Sequence, residues 1–459
     1  MSDRGLSRER GADLLAIGFG TAVGMWAVGY FVRLFGDAVP APILFALLIA
    51  VLLIGGLVAG RWTGRGVGGW VACGTITGLI NLLIVGSLIS GQTPNSIRAG
   101  ALLWVPGTVV VCVLFIVLGA LVGRALRPAG TPPRSWLGGL AVVAAVATFV
   151  LLGAGGLVTG YDEGLAVVDW PNSEGYNMFL YPLARMTGGV YLEHAHRLLG
   201  SLVGLTTLVL AIHITLTERR RYVTTLAWVT LVAVVFQGVL GGLRVTGRLT
   251  LSTDPADTSP SIILAIVHGV FGQMVFAMLV ALAAVRSRTW LGPTPANPHP
   301  AAGTDRVLAA ILAVLVISQL VLGALVRHFT WALEINRYEL KADPKTLIAI
   351  GDWALTLHVT FAVLVLLMAL AVAVRAWGLY PQPILSRSGR ALLVLVGVQL
   401  VLGLGALWVT GDEARHREPA PHDVAITTLH QVAGAAILAC TILIWVWNIR
   451  LARVATRTG

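Results

Sequence analysis

The chain has 459 residues, 57% of them hydrophobic and 12% charged, with 32 Lys and Arg against 21 Asp and Glu. That balance places it in the membrane class, because many apolar stretches of about 18 or more residues can each cross a hydrocarbon core of about 30 Å. The net charge of +11 does not mark a nucleic-acid binder, since the basic residues sit in short clusters between apolar runs, as in loops on a cytoplasmic face.

In chain order the apolar runs predict twelve spans, at about 12–35, 42–60, 67–90, 99–123, 137–159, 191–217, 222–243, 260–285, 307–327, 353–375, 390–410 and 425–448. The basic start M-S-D-R-G-L-S-R-E-R precedes a run too long for a signal-peptide core, and no A-x-A-like site ends it, so it reads as a retained first span. Cys73, Cys112 and Cys440 all lie inside apolar runs and offer neither a loop disulfide nor a thiolate cluster. With the N-terminus inside, the inner segments carry 20 Lys and Arg and the outer loops 10. This bias predicts both termini in the cytoplasm.

The outer loops at 160–190 and 328–352 are long and hold Asp162, Glu163, Asp169, Glu174 and Glu334. Binding or catalytic machinery is therefore expected on the outer side. The segment R-P-A-G-T-P-P-R at 127–134 reads as a boundary after a four-span extension, residues 1–128. The expected fold is an all-α polytopic membrane protein whose last eight spans form two homologous four-helix bundles, 129–290 and 291–459.

An internal repeat supports those two halves. Alternate spans share Q-x-x-L-G, at Gln237 to Gly241, Gln319 to Gly323 and Gln399 to Gly403. The first span of the set has Phe149 and Leu152-Gly153 in the matching place, the Gln replaced. Each following span carries one histidine near its outer end: His196, His268, His358 and His430. His196 to His358, His268 to His430 and Gln237 to Gln399 are all separated by 162 residues. Ionisable groups inside a membrane are costly, and a repeated set of four points to function more than to incidental packing.

Four positions after the histidines stand Gly200, Gly272, Ala362 and Gly434, on the histidine's own face. Small residues there suit either close helix packing or a flat macrocycle lying against the helix. Two imidazoles from opposing helices of one bundle make a bis-histidine haem site, His196 with His268 and His358 with His430. Zinc suits two nitrogens per half poorly. His194, His213, His299, His328, His416 and His422 do not fit the pattern and read as solvated or packing residues.

The halves differ at one point. Glu193 precedes His196 by three residues, whereas Leu355, Ala265 and Thr427 hold the matching places before the other histidines. A carboxylate there serves either proton handling beside a haem edge or the orientation of a neighbour, His196 or Arg197.

E-x-x-H-R at 193–197, the Q-x-x-L-G repeats and L-H-Q at 429–431 resemble the haem A synthase family, also called the Cox15/CtaA family, over roughly 135–450. The resemblance implies a membrane oxidoreductase that oxidises the C8 methyl of haem O to a formyl group by successive hydroxylations, giving haem A for cytochrome oxidase assembly. Carried over, His196 and His268 flank the substrate haem O, His358 and His430 ligate a haem b cofactor, and Glu193 is the catalytic acid. Arg197, Arg244, Arg248 and Arg327 are candidate propionate contacts. Haem O synthase and a second copy of the chain are the expected partners besides the lipid bilayer, no nucleic acid is expected, and the electron donor is left open. The implied location is a bacterial cytoplasmic membrane, with the haem sites toward the outer face.

Three features depart from the family pattern. Val359 follows His358 where many members have Arg, the outer loops hold no cysteine pair, and the four N-terminal spans lie outside the family core, with Arg33 their strongest polar feature. Two other classes compete: a diheme b-type electron-transfer protein and a twelve-span transporter.

Overall fold

The computed structural model describes residues 11–247, 262–292, 299–329, 344–411 and 419–453. Twelve helices among them are long and apolar enough to cross a membrane. They are α1 Ala12–Arg33, α2 Ala41–Trp62, α3 Val67–Ile89, α4 Ala101–Ala125, α5 Gly139–Gly160, α6 Gly188–Thr217, α7 Arg221–Thr246, α8 Ile262–Arg286, α9 Ala302–Phe329, α10 Pro344–Gly378, α11 Pro383–Val409 and α12 Pro421–Arg453. The chain is thus an all-α polytopic membrane protein, the form in which every backbone polar group finds its partner within the segment.

The last four spans start earlier than their apolar runs. Pro383 and Pro421 open α11 and α12, because proline loses no hydrogen bond in the first turn. In α11 the polar turn Ser386-Arg387-Ser388 then winds on before the apolar stretch begins, so hydropathy alone undercounts the helix.

In the first bundle α5 packs on α6 and α8, and α7 closes the ring against both. The second bundle repeats this ring, with α9 on α10 and α12 and α11 closing it. The bundles meet where α12 packs on α5 and α8, and α9 on α8. In the extension α2 and α4 approach closely: a Cβ on Gly60 would stand 2.0 Å from the Ala120 carbonyl oxygen, and one on Gly123 2.3 Å from that of Leu57. Only hydrogen fits such a crossing. The extension docks on the first bundle through α1 against α5 and α6.

The Pro-rich segment is no free hinge. Arg134 N–H donates to the Trp62 carbonyl at 3.0 Å and Arg127 to the Thr63 carbonyl at 3.1 Å, folding the segment back onto the end of α2. Two polar groups of the extension also escaped the sequence reading. Asn81 is buried and accepts from Trp26 Nε1 at 3.0 Å, and Asp13 pairs with Arg65 at 2.7 Å.

Between α6 and α7, Glu218 pairs with Arg220 at 2.6 Å and with Arg286, at the end of α8, at 3.1 Å. Burial alone would push its carboxyl up, but the hydrogen bonds and charge of Arg220, with help from Arg286, outweigh it and hold the group down to about 2. Its stabilising effect is therefore complete above the usual value of 4.5 and is lost as pH falls toward 2. Glu218→Gln removes the carboxylate that pairs with both Arg220 and Arg286, the latter 1% exposed. The expected result is a loss of about 3–5 kcal/mol, read as a lower thermal midpoint in detergent at neutral pH.

Candidate functional site

All four repeat histidines sit half-buried inside their bundles. His196 on α6 faces His268 on α8 with ring centres 6.4 Å apart, and His358 on α10 faces His430 on α12 at 6.3 Å. The planes cross at 73° and 69°. A first-row metal binds an imidazole nitrogen at about 2.0–2.1 Å, and that nitrogen lies about 1.1 Å from the ring centre, so two rings on opposite sides of one iron would be separated by about 6.3 Å. Both pairs fit a metal held between them. Among the described residues no three of His, Cys, Asp and Glu come together around a metal, so each pair would offer a metal two imidazole nitrogens, a donor set that suits haem iron better than zinc.

A glycine on the preceding helix makes room for each ring. An added Cβ on Gly155, Gly241 or Gly323 would lie 3.0 Å from Cε1 of His196, His268 or His358, and one on Gly403 3.1 Å from that of His430. Three of these are the glycines of Q-x-x-L-G. In α5 the glycine is Gly155, and Gly153 meets nothing within 4 Å. The register expected from sequence is therefore two residues off, and Leu151, not Phe149, stands where the other helices carry Gln. Leu152 against Gly272 and Leu320 against Gly434 repeat the same helix contact, which supports the corrected alignment.

The glutamines act on the histidines. Gln237 Nε2 lies 3.0 Å from His268 Nδ1 and donates to the His268 carbonyl at 2.7 Å. Gln319 makes the same two contacts with His358, at 3.2 and 2.9 Å, and Gln399 meets the His430 ring at 3.3 Å. The Oε1 atoms of all three are buried without a partner. Turning the amides of Gln237 and Gln319 presents that oxygen to an Nδ1–H of His268 and His358 and leaves Nε2 as the metal-binding nitrogen, whereas Gln399 meets His430 at Nε2. His196 Nδ1 and His430 Nδ1 are both buried with no partner, and among the described residues His196 is the one ring of the four with no glutamine amide beside it.

Of the small residues four positions on, a Cβ on Gly200 meets nothing within 4 Å. One on Gly272 would stand 3.1 Å from Gln237 Nε2 and one on Gly434 3.2 Å from Leu320. Close packing thus accounts for two of the set, and open space lies beside Gly200.

The outer loop before α6 folds over the first bundle. Glu193 is 4% exposed; it accepts from Val167 N–H at 2.8 Å and from Arg197 at 2.6 Å. Arg197 also donates to the carbonyls of Val167 and Asp169 at 2.6 Å and of Asn172 at 2.9 Å. Glu193 therefore pairs with Arg197 and the loop, not with His196, and Arg197 has most of its donors committed to the loop. Trp170 lies flat on Gly242 of α7, where a Cβ would come within 2.4 Å of the indole. His194 is fully buried against Ser173 at 2.9 Å and Tyr181, a packing residue as its off-face position implied.

Arg244 packs beneath the loop at Gly164, where a Cβ would lie 2.4 Å from its guanidinium. Its charge bears on both His196 and His268, and its buried Nε has no partner. Arg327, from the second bundle, donates to the Thr159 carbonyl at the end of α5. Arg248, Glu334 and His416 lie outside the described residues. Val359, beside His358, is 43% exposed and itself has no charge to offer a propionate. Sequence reasoning missed the loop contacts and Leu151. The one signal available was the distance from site glycine to histidine, 41 residues in the first half and 35 in the second.

No curated protein matches the chain. A family model described as cytochrome oxidase assembly protein matches residues 175–442, which includes all four paired histidines, Glu193 and the three site glutamines. That match spans more than half of the 459 residues, and the chain is accordingly a member of the COX15-CtaA family, the haem A synthase family.

Proposed function

We propose that this protein is a haem A synthase, which oxidises the C8 methyl of haem O to the formyl group of haem A. The observation that carries the reading is one site built twice, with a buried carboxylate added in one copy only. His196 and His268 would flank the substrate haem O, and His358 and His430 would hold haem b. When bound, haem b supplies one-electron redox chemistry next to the substrate site. Glu193 holds or moves a proton at the substrate's edge, and Arg244 offers an unpaired guanidinium N–H to a propionate. The loop with Trp170 keeps water from the first site.

His196 lacks the amide partner that His268, His358 and His430 each have. That asymmetry suits a first bundle whose haem must enter and leave, beside a second whose haem stays. An electron relay would need neither this difference nor Glu193. A transporter reading has no place for ring centres set a metal's distance apart. The excess of Lys and Arg in the inner segments supports both termini in the cytoplasm and the haems toward the outer leaflet, and the likeness to the family supports a bacterial cytoplasmic membrane.

Purified protein is expected to contain low-spin b-type haem by pyridine haemochrome, with His358→Ala or His430→Ala removing it. Protein from haem-replete cells without a Soret band would end the haem reading. Haem b present in cells that never form haem A would leave only the electron relay.

A further inference from the structure

Residues 1–128 have so far no role, yet their outer end touches the loop over the first site at several points. The carbonyl of Phe179 sits on Gly86 of α3, where any Cβ would come within 2.0 Å of its oxygen. Ser90 donates to the Leu180 carbonyl. Tyr176 donates its hydroxyl to the Gln92 carbonyl at 2.8 Å, and Asn177 N–H donates to Asn95 Oδ1 at 2.8 Å. Asn95 holds φ at 61°, a left-handed turn that asparagine tolerates. On the other side Tyr191, in the first turn of α6, stacks on Tyr30 of α1 with ring centres 5.7 Å apart, and its hydroxyl donates to the Tyr30 carbonyl at 2.7 Å. Arg33 lies 5.5 Å over the same ring.

The loop carries this grip inward. Asp169 is fully buried and accepts from the N–H groups of Glu174 at 2.7 Å and Gly175 at 2.9 Å. Tyr181 donates to Glu174 at 2.7 Å. The segment gripped by the extension, 176–181, is thereby joined to the segment that holds Glu193 and Arg197, 167–172. A loop of this length between two spans has little reason to keep one conformation by itself.

We propose that the N-terminal extension is a positioning clamp: Gly86, Ser90, Asn95 and the Gln92 carbonyl fix the outer loop, and through it the Glu193–Arg197 pair, over the first histidine pair. The reading of Glu193 as a proton-handling group rests on the proposed function, but the clamp does not. The geometry asks for a backbone-to-backbone fit at Gly86 and hydrogen bonds that need no charge, so the device works at any pH and ionic strength at which the chain folds.

The test uses the full chain in detergent. Gly86→Val inserts a branched side chain against the Phe179 carbonyl, and Tyr176→Phe with Asn95→Ala removes two hydrogen bonds without adding volume. Hydrogen exchange is expected to rise about 10-fold or more in peptides covering 165–181 in both variants, with peptides from α9–α12 unchanged. In cells the variants should lower the ratio of haem A to haem O while haem b content stays at the wild-type level, a split that general instability would not produce. Wild-type exchange at 165–181 in the Tyr176→Phe, Asn95→Ala protein would overturn the clamp, whatever the haem content. Faster exchange with an unchanged ratio of haem A to haem O would equally overturn it as a positioning device. Should Gly86→Val fail to fold, the double variant decides alone.

Discussion

Glu193→Gln is expected to leave haem b in the second bundle and to stall the conversion of haem O by about 10²–10⁴-fold, the usual worth of a general acid–base group, or about 3–5 kcal/mol of barrier. The structure complicates the simplest form of this experiment. Both carboxylate oxygens accept hydrogen bonds, from Val167 N–H and from Arg197. An amide accepts through one atom only and turns a donor toward the other partner. Some loss is thus built in even if the carboxylate does nothing but hold the loop.

Arg197→Gln separates the two roles. It releases the carbonyls of Val167, Asp169 and Asn172 and opens the loop from the other side. If loop-holding is the whole role of Glu193, both variants should lose conversion in proportion to faster hydrogen exchange at 165–172. If Glu193 handles a proton, Glu193→Gln keeps near-native exchange, because the three carbonyl bonds of Arg197 persist, yet accumulates haem O. Leu355→Glu in the second half should rescue neither. Normal haem A in Glu193→Gln cells would reduce the carboxylate to a loop anchor.

Much of the membrane architecture is legible in sequence because hydropathy acts over whole spans and tolerates errors at their ends. The histidine pairs are legible for another reason. Two copies of one unit keep one offset, and His196 to His358 repeats His268 to His430. What failed was local. The α5 register was set by matching Leu152-Gly153 to the Leu-Gly of Q-x-x-L-G, but a Leu-Gly pair alone does not say which glycine lies under the ring. The glycine under each imidazole does not shift, because a Cβ has no room there. The fit of 160–190 over Glu193 was illegible because its bonds run from side chains to backbone carbonyls, such as those of Val167 and Asn172, and these groups are the same in every residue. Gly86 carries no chemical signal either; its reason is a carbonyl on another segment.

Leu151→Gln is expected to slow the release of haem from the first bundle by about 10–100-fold, the usual range for a group that orients a metal ligand. Leu151 lies four residues before Gly155, as Gln237, Gln319 and Gln399 lie before Gly241, Gly323 and Gly403. A glutamine there reaches the ring of His196, whose Nδ1 is buried with no partner, and gives that ring the amide neighbour that the other three have. Transfer of haem to excess apomyoglobin, followed by absorbance, measures the rate, and slower release should lower turnover while the bound haem stays low-spin. Phe149→Gln serves as control. Two residues along the helix is about 200° of rotation, and Phe149 points to Phe276, ring centres 5.5 Å apart, so an amide there should leave release unchanged. In the other direction, Gln319→Leu removes the partner of His358 and should loosen the haem b of the second bundle by a similar factor. Unchanged rates in both Leu151→Gln and Gln319→Leu would mean that the amides do not tune the ligands. The difference between the two sites would then have to lie in the loop.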